Sequence, residues 1–377
     1  MLTLFTLLNA FSTSMVGSVI RRIISSTTGV IHGIPGVIGV TLLWLGLTHS
    51  YALASSVQPN LIQHRIAVFS TYPSASLAAM CTAHGDGDTS AGCIEDALSP
   101  SAFINALQRS GKFSNLLPFS EGNDYELLIA NIGESRDSAS IQYGEFTLRW
   151  RGLEIDTASF SVLPESPDAE HIARSLVSFW LQHIEDKNVF TSQFLYLALN
   201  ASNYENSLLV PDEVGEFIKL ETQLFADPFN GAITRYTHPS FEDAFVDVTV
   251  YPFLGPLDAE ENTLLNQQLN EDVEKANSVA QSQHLTLSLS SPASKYIVNS
   301  EIHGWRLGLK AESDTAPTIY ATTYVFRRED KIVKVATTFP ADFSDALVNE
   351  IITRVQVPQE SALMKNIRAI LAESTTQ

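Results

Sequence analysis

The segment HGDGDTSAGC carries the side chains with the clearest potential for metal chemistry. His84, Asp86 and Asp88 occupy alternate positions in it, a spacing that gathers oxygen ligands around Ca²⁺ in the first half of an EF-hand loop. The remainder of such a loop, with its closing bidentate Glu, does not follow. The segment therefore allows two interpretations, a metal site and a solvated loop rich in turns. We favour the loop and expect no cofactor.

Two cysteines bracket this segment, Cys81 before it and Cys93 at its end. The residues between them are rich in Gly, Asp, Ser and Thr, as expected for a disulfide ring in an oxidising compartment. Closing so small a ring contributes about 3 kcal/mol by the chain-entropy estimate. We predict a Cys81–Cys93 disulfide in an exported protein, whereas in a reducing cytosol both thiols would stay free.

A second set of candidates pairs Arg with aromatic residues in the carboxyl-terminal half. Arg235 and Tyr236 lie in TRYTHP, and Trp305 and Arg306 lie in HGWRLG. Such residues could line a ligand groove, although strand edges show the same composition for packing and solubility. We retain these four residues as candidates for ligand binding.

Common signatures of enzymes are missing from the sequence. It contains no phosphate-binding loop, no G-x-G-x-x-G, no G-x-S-x-G, no H-E-x-x-H and no paired C-x-x-C. Paired carboxylates cannot be assigned to acid–base chemistry, because any pair can be chosen among 42 acidic residues. We assign no catalytic residue and favour a non-catalytic role over an enzymatic one.

The formal charge of −19 limits the partners of the protein. Nucleic-acid binding depends on Lys and Arg that neutralise phosphates, so we expect no nucleic-acid partner. Adhesion to anionic lipid is disfavoured for the same reason.

The first 54 residues have the features of an export signal. Arg21 and Arg22 are followed by a long uncharged stretch, and Ala52 and Ala54 supply the small residues of a cleavage site before Ser55. The uncharged stretch is also long enough for a retained anchor. We expect a periplasmic or exported protein, or alternatively one anchored in the inner membrane and facing outward. Met1 and Met15 are both possible initiators.

Residues 55–211 read as alternating strands and helices. The run 65–73 alternates like a half-buried strand, and a hairpin turning near Gly152 is predicted in 144–164. A helix preceded by Pro167 places four residues on one face, Ile172, Leu176, Phe179 and His183.

Residues 212–358 form a second region, followed by a tail or short helix in 359–377. A turn at 227–231 separates two strands, and a third strand in 244–253 carries apolar residues on one face with Asp247 on the outer face. Asp258 with Glu261 predicts the start of a long helix. In the last helix of the region we expect Phe343, Leu347, Ile351 and Val355 to face the sheet. The element order predicts an α+β protein of two domains, each a mostly antiparallel or mixed sheet with helices packed on it.

At this level the first half resembles the small α/β domain of curli-secretion and TolB amino-terminal modules. The resemblance is one of pattern, carried by SPSAFINALQRSGKFSNLLPF, NDYELLIANIG, GEFTLRWRGLEI and HIARSLVSFWLQHI. The second half resembles stretches of proteobacterial envelope proteins through DPFNGAITRY and DVTVYPF. These resemblances imply a compartment and no activity. We therefore expect an exported envelope protein with a binding or structural role and an envelope protein or component as its partner; the alternative is an exported enzyme or small-ligand binder with its site in the carboxyl-terminal half.

Overall fold

The structure, a computed structural model, describes residues 62–70, 98, 100–118, 123–135, 138–163, 165–166, 168–313 and 317–375. These residues form an amino-terminal unit up to Phe190 and a carboxyl-terminal unit from Thr191 onward. The division lies before the predicted boundary at 211–212, because the helices that follow Thr191 pack on the second sheet. Each unit has its own sheet and helices, and the predicted α+β class is confirmed.

The amino-terminal unit contains a mixed five-stranded sheet of order β2-β1-β3-β4-β5, in which β1 runs parallel to both of its neighbours. Its elements are β1 (Ile62–Ser70), α1 (Pro100–Ser110), β2 (Phe113–Pro118), β3 (Tyr125–Ser135), β4 (Ser138–Trp150), β5 (Leu153–Val162) and α2 (Ala169–Asp186). The β4–β5 hairpin turns at Arg151 and Gly152, both with positive φ, as the preference for Gly in tight hairpins predicts.

Helix α2 packs on the sheet through residues that recur every fourth position, Ile172, Leu176, Trp180 and Ile184. Trp180 is fully buried and stacks on Phe146 with ring centroids 5.9 Å apart. Phe179 is 46% exposed, so its predicted place on the buried face is wrong. The larger Trp180 fills the space above β4, which rotates Phe179 toward solvent.

The carboxyl-terminal unit contains an eight-stranded antiparallel sheet of order β10-β11-β12-β13-β9-β8-β7-β6. Its strands are β6 (Glu213–Val214), β7 (Phe217–Leu224), β8 (Ala232–His238), β9 (Phe241–Pro252), β10 (Thr286–Ile297), β11 (His303–Glu312), β12 (Ile319–Arg328) and β13 (Lys331–Thr337). Its helices are α3 (Ser192–Ala198), α4 (Tyr204–Ser207), α5 (Glu261–Ser282), α6 (Ala341–Arg354) and α7 (Ala362–Thr375).

Each face of this sheet carries its own apolar core. On one face, Val246, Val248 and Val250 of β9 pack with α6 and with the α3–α4 segment, which we define as residues 192–212. On the other face, α5 packs over β10, β11 and β12 through Leu265 and Leu269. Apolar residues therefore occupy both sides of the central strands, as burial under helices on two faces requires.

The turn between β7 and β8 requires Gly231. Its φ is +68°, and a Cβ at this position would lie 1.9 Å from the carbonyl oxygen of Val250. The preceding Pro228–Asn230 forms a short 3-10 turn that begins at Asp227, whose side chain accepts the N–H of Phe229 at 2.9 Å. The predicted turn at 227–231 is confirmed.

The long helix α5 begins later than predicted from Asp258. Glu260 caps it, since its carboxylate accepts the N–H groups of Asn262 and Thr263. In α6 the buried side consists of Ser344, Val348, Ile351 and Ile352, with Leu347 half-buried and Val355 buried just after it. Phe343 is 72% exposed, so its predicted packing on the sheet is wrong. The small Ser344 lets the helix approach the sheet and bonds Thr337 across the contact.

The predicted tail forms a packed helix, α7. Met364 is buried, and Arg368 donates to the carbonyl oxygens of Phe253 and Gly255 at 2.7 and 3.1 Å. These bonds fix the end of the chain to the loop after β9. Within the described residues, no helix combines the length and apolar character needed to cross a membrane.

Candidate binding groove

Seven of the predicted residues lie outside the part of the chain that the structure describes. They are the cleavage-site residues Ala52 and Ala54, the cysteines Cys81 and Cys93, and the metal candidates His84, Asp86 and Asp88. The signal, the disulfide and the metal site therefore stay predictions. The four candidates of the carboxyl-terminal half are all described.

Arg235 and Tyr236 are adjacent on β8 and point to opposite faces of the sheet, because side chains alternate along a strand. Arg235 donates from Nε and Nη2 to both carboxylate oxygens of Asp247, each at 2.7 Å. This hydrogen bonding raises the pKa of Arg235 against the effect of burial. Asp247 is buried in the ion pair, so its predicted exposure is wrong. Tyr236 is fully buried and donates to the carbonyl oxygen of Pro211 at 2.7 Å.

Trp305 and Arg306 also point to opposite faces, on β11. Trp305 Nε1 donates to Asn262 Oδ1 of α5 at 3.3 Å. Arg306 Nη1 donates to both carboxylate oxygens of Asp345 on α6, at 3.0 and 2.8 Å. Asp345 also accepts from Tyr324 Oη at 2.5 Å. Arg306 thus joins β11 to α6 within a network of bonded polar groups.

The electrostatics of this network follow from burial and from Asp345. Burial works against the charge of Arg306, but the hydrogen bond and charge of Asp345 outweigh it and raise the pKa of the guanidinium. Burial, with the nearby charge of Asp345, raises the pKa of Tyr296 to about 12. Both groups therefore keep their ordinary protonation states at neutral pH.

The four predicted residues do not form one site. Strands β8 and β11 are separated by β12, β13 and β9, so four strand intervals of about 4.8 Å place them about 19 Å apart. Arg235 and Trp305 lie on one face, whereas Tyr236 and Arg306 lie on the other. A single small ligand cannot contact all four.

A groove of about 800 Å³ lies instead at the other end of the sheet, beside β7. Strand β7 forms one side, through Lys219 to Leu224, and the α3–α4 segment forms the opposite wall, through residues such as Gln193, Glu205 and Leu209. The outermost strand β6 pairs with Phe217 and Ile218 of β7 after a turn at Gly215, and the N–H of Lys219 donates to the carbonyl oxygen of Asp212 at 2.8 Å. The remainder of β7 therefore borders the groove directly.

The wall of the groove is tied to the rest of the carboxyl-terminal unit at three points. Tyr196 of α3 donates from Oη to the carbonyl oxygen of Gly231 at 2.6 Å. Leu209 and Gln356 exchange two backbone hydrogen bonds, at 3.0 and 2.9 Å. Tyr236 supplies the third connection through its bond to the same segment. These ties hold the wall at a fixed distance from β7.

The backbone of β7 alternates between pairing with β8 and facing the groove. Phe225 donates its N–H to the carbonyl oxygen of Gly231 at 3.0 Å, and this bond shows which residues of β7 are hydrogen-bonded to β8. In an antiparallel pair, every second residue then directs its N–H and C=O away from the neighbour. In β7 these residues are Thr222 and Leu224, opposite Thr234 and Ala232. No other segment among the described residues pairs with these outward groups.

The groove is acidic. Its lining includes three carboxylates, of Glu205, Asp212 and Glu221, and one ammonium group, of Lys219. Lys219 is bound to Asp212, and this hydrogen bond lowers the pKa of the Asp212 carboxyl. The lining therefore carries the further carboxylates of Glu205 and Glu221 beside this ion pair.

Sequence reasoning predicted the strand 215–225 but not the groove. The groove residues come from separate segments whose proximity depends on strand order. The useful local signal was the exposed, polar character of ETQ within an otherwise regular strand, which is typical of a strand at an edge.

A polar cluster in the amino-terminal unit has a structural role. His183 Nε2 lies 2.7 Å from the buried Asp156 Oδ2, and Lys187 Nζ lies 3.1 Å from Oδ1. These contacts fix the end of α2 to the edge strand β5. No group of three or more potential metal ligands occurs among the described residues.

No protein-family model matches the chain, and no curated protein matches it. Among solved structures, it is similar to cyanobacterial PsbP from Synechocystis sp. PCC 6803, with 13% identity, a TM-score of 0.29 and coverage of 40% of this chain and 92% of that one. The chain is also similar to the type VI secretion immunity protein TplEi of Pseudomonas aeruginosa, with 13% identity, a TM-score of 0.22 and coverage of 69% of this chain and 84% of that one. PA94 of Pseudomonas aeruginosa, a protein of unknown function, gives 12% identity, a TM-score of 0.20 and coverage of 39% and 100%. Such scores indicate neither a shared fold nor a function.

Proposed function

We propose that the protein is an exported envelope protein whose role is non-catalytic binding of another envelope protein. The observation that carries this proposal is the groove beside β7, where the outward backbone groups of Thr222 and Leu224 face an open space of about 800 Å³. Unpaired strand edges bind extended protein segments through backbone hydrogen bonds. A fixed wall opposite such an edge restricts what can approach it.

The compartment belongs to the same proposal. It is supported by the signal-like residues before Ser55 and by the pair Cys81 and Cys93, which suits an oxidising environment. The charge of −19 favours a basic or neutral protein partner over nucleic acid. The proposal involves no cofactor.

One alternative has a specific observation in its favour. A volume of about 800 Å³ lies within the range of roughly 300–1,000 Å³ for small-molecule sites. An exported enzyme or small-ligand binder could therefore use the same groove. Its lining is mainly polar and exposed, whereas sites that enclose small molecules are mostly apolar, so we favour a protein partner.

Site-directed photo-crosslinking in cells of the source organism tests the proposal. A photo-reactive amino acid replaces Glu205 in the groove wall or, as a matched control, Glu274 on the exposed side of α5. After purification through a carboxyl-terminal tag, mass spectrometry identifies the bait and anything attached to it. We expect a discrete envelope protein on the Glu205 variant and none on the Glu274 variant.

Two results would contradict the proposal. Capture of nothing at position 205, together with a shift in melting temperature by a small molecule, would favour the alternative. Equal capture at both positions would indicate unspecific contact. The mass of the bait also reports whether the chain starts at Ser55 and whether Cys81 and Cys93 are oxidised.

A further inference from the structure

We infer that the partner of the groove is an extended, basic protein segment that joins the sheet as an additional strand along β7. This inference rests on the proposed binding function and specifies its mode and chemistry. It follows from three features of the described residues: the direction in which the backbone N–H and C=O groups of β7 point, the regular geometry of its free edge, and the charge of the groove lining.

The outward N–H and C=O groups of β7 provide the hydrogen-bonding positions for an added strand. Thr222 and Leu224 are two positions apart, so their N–H and C=O groups point in the same direction with the spacing of one strand repeat. An extended segment can accept and donate at both residues without any change in β7. Thr222 Oγ1 is already bonded to Thr234 Oγ1 at 2.8 Å across the ladder, which leaves the backbone groups as the available partners.

The geometry of the edge permits pairing. The register of β7 with β8 shifts between Lys219 and Glu221 and is regular from there to Leu224. A regular segment of this length pairs with about four residues of an added chain, since strands pair residue by residue. The wall at Glu205 and Leu209 stands opposite this edge.

The charge of the lining selects the occupant. Glu221 lies on the face of β7 that carries Arg235, and Glu205 belongs to the wall on the other face. Basic side chains on either face of an added strand therefore meet a carboxylate, and apolar ones meet Leu209, which is 52% exposed. A second copy of this chain would bring the same acidic edge and is disfavoured by repulsion.

Peptide binding tests this inference. The probe is a fluorescent peptide of about six residues in which lysine and valine alternate, a length that covers the free edge. One matched peptide replaces lysine with glutamate, and another is the lysine peptide with every backbone nitrogen methylated. Binding to the full exported chain is measured by fluorescence anisotropy. We expect the dissociation constant to rise about tenfold or more for each matched peptide.

Two variants locate the interaction. Thr222→Pro removes the outward N–H and should weaken binding of the lysine peptide about tenfold, because Pro is tolerated at a free edge but blocks pairing. Glu274→Gln, an exposed change on α5 outside the groove, should bind within about twofold of the unmodified chain. Circular dichroism checks that both variants are folded. Independently of the variants, peptide binding should slow hydrogen exchange at the amides of Thr222 and Leu224.

Several results would overturn the inference. Equal binding of the methylated peptide would show electrostatic adsorption without strand pairing. Equal binding of the glutamate peptide would contradict the charge argument, as would no binding of the lysine peptide at all. If these peptides fail while position 205 still captures a partner in cells, the proposed function stands and only its mode is wrong. If position 205 captures nothing, the proposed function itself fails.

Discussion

The two edges of the eight-stranded sheet differ in their capacity to pair with another chain. At one edge, β10 shifts register twice against β11, between Leu289 and Ser291 and between Ser291 and Ser294. Pro292 lies inside this interval and lacks an N–H, and Lys295 is exposed. Bulges, proline and lysine are the devices that keep natural sheet edges from templating further strands.

The other edge lacks this protection beyond its bulge. Strand β7 is regular from Glu221 to Leu224, contains no proline and faces a groove with a fixed wall. The wall lies beside the free part of β7 and lines the groove together with it. We infer that the bulges close the β10 edge to any added strand, whereas the wall beside β7 restricts which chains can pair with that edge. Binding is expected at β7 and not at β10.

The largest expected effect comes from removing the wall's aromatic anchor. Tyr196 is buried, and Tyr196→Ala should lower the free energy of unfolding by about 3–5 kcal/mol, as for other buried aromatic residues. Peptide binding at β7 should be lost because α3 no longer holds its position. Chemical denaturation measures the free energy of unfolding, and native hydrogen exchange with and without the lysine peptide measures binding at β7.

Tyr196→Phe is the matched control, because it keeps the ring and loses only the hydroxyl, which lies 2.6 Å from the carbonyl oxygen of Gly231 and 3.4 Å from that of Asp227. It should cost about 0.5–1.5 kcal/mol, since one buried hydrogen bond is lost while the carbonyl oxygen of Gly231 keeps the N–H of Phe225. Exchange should accelerate in β7 more than in β10. Equal acceleration at both edges would show that Tyr196 supports the whole unit and not the groove wall in particular.

The next largest effect contrasts two glycines near the two edges. Gly231→Ala should cost about 3 kcal/mol, since it combines a positive φ with contact to the backbone of Val250. Gly308→Ala on β11 would place its Cβ 2.6 Å from Ser290 Oγ, a side-chain atom that can move, and 3.0 Å from the backbone nitrogen of Ser291 on the distorted edge strand. We expect about 1 kcal/mol there. Thermal unfolding of both variants tests this order, and a greater loss for Gly308→Ala would indicate that the β10 edge is the more rigid one.

A smaller effect concerns how the free energy of unfolding depends on pH through the Glu260 cap of α5. Hydrogen bonds from Thr263 and Asn262 lower the pKa of Glu260 from 4.5 to about 2. Because the folded pKa lies below the unfolded one, this stabilisation is present above pH 4.5 and is lost as the pH falls to about 2.

Glu260→Gln should therefore lose stability less steeply than the unmodified chain over this pH range. Denaturant unfolding at a series of pH values measures the slope. Glu274→Gln, an exposed change on the same helix, is the matched control and should leave the slope unchanged. The same slope in the Glu260 variant and the unmodified chain would exclude the cap as an acid-sensitive contact.

The smallest effect is expected at β10. Pro292→Thr restores an N–H to this edge but leaves both bulges, so stability should change by less than about 0.5 kcal/mol and the lysine peptide should not bind there. Hydrogen exchange with and without peptide provides the measurement. Peptide protection of β10 in this variant would show that proline alone, and not the bulged geometry, separates the two edges.

Much of the local structure was predictable. The turn at 227–231, the hairpin at Gly152 and the apolar face of β9 follow from turn chemistry and alternation, which act over a few residues. The misplaced residues have a common cause. Phe179 and Phe343 fit an apolar helical stripe, but Trp180 and Ser344 fit the surface beneath each helix better. Periodicity identifies a helix, whereas the neighbouring sheet selects its buried face.

The candidate site shows the same division. Arg235 and Arg306 were predicted as ligand-binding candidates, and each is bound to a carboxylate, of Asp247 and Asp345, from another element. Long-range pairs of this kind leave no trace in residue spacing. The groove residues were not found because Glu205 and Glu221 come together only through packing of the α3–α4 segment beside β7.

By itself the sequence determined the α+β class, the elements and their turns, because hydrophobic period, caps and glycine positions act within each segment. Which strand lies at an edge, which carboxylates form ion pairs and where a groove remains open depend on the tertiary packing. Strand order is set by the burial of several helices and strands at once, so the free edge of β7 is a property of the assembled sheet and not of the residues that form it.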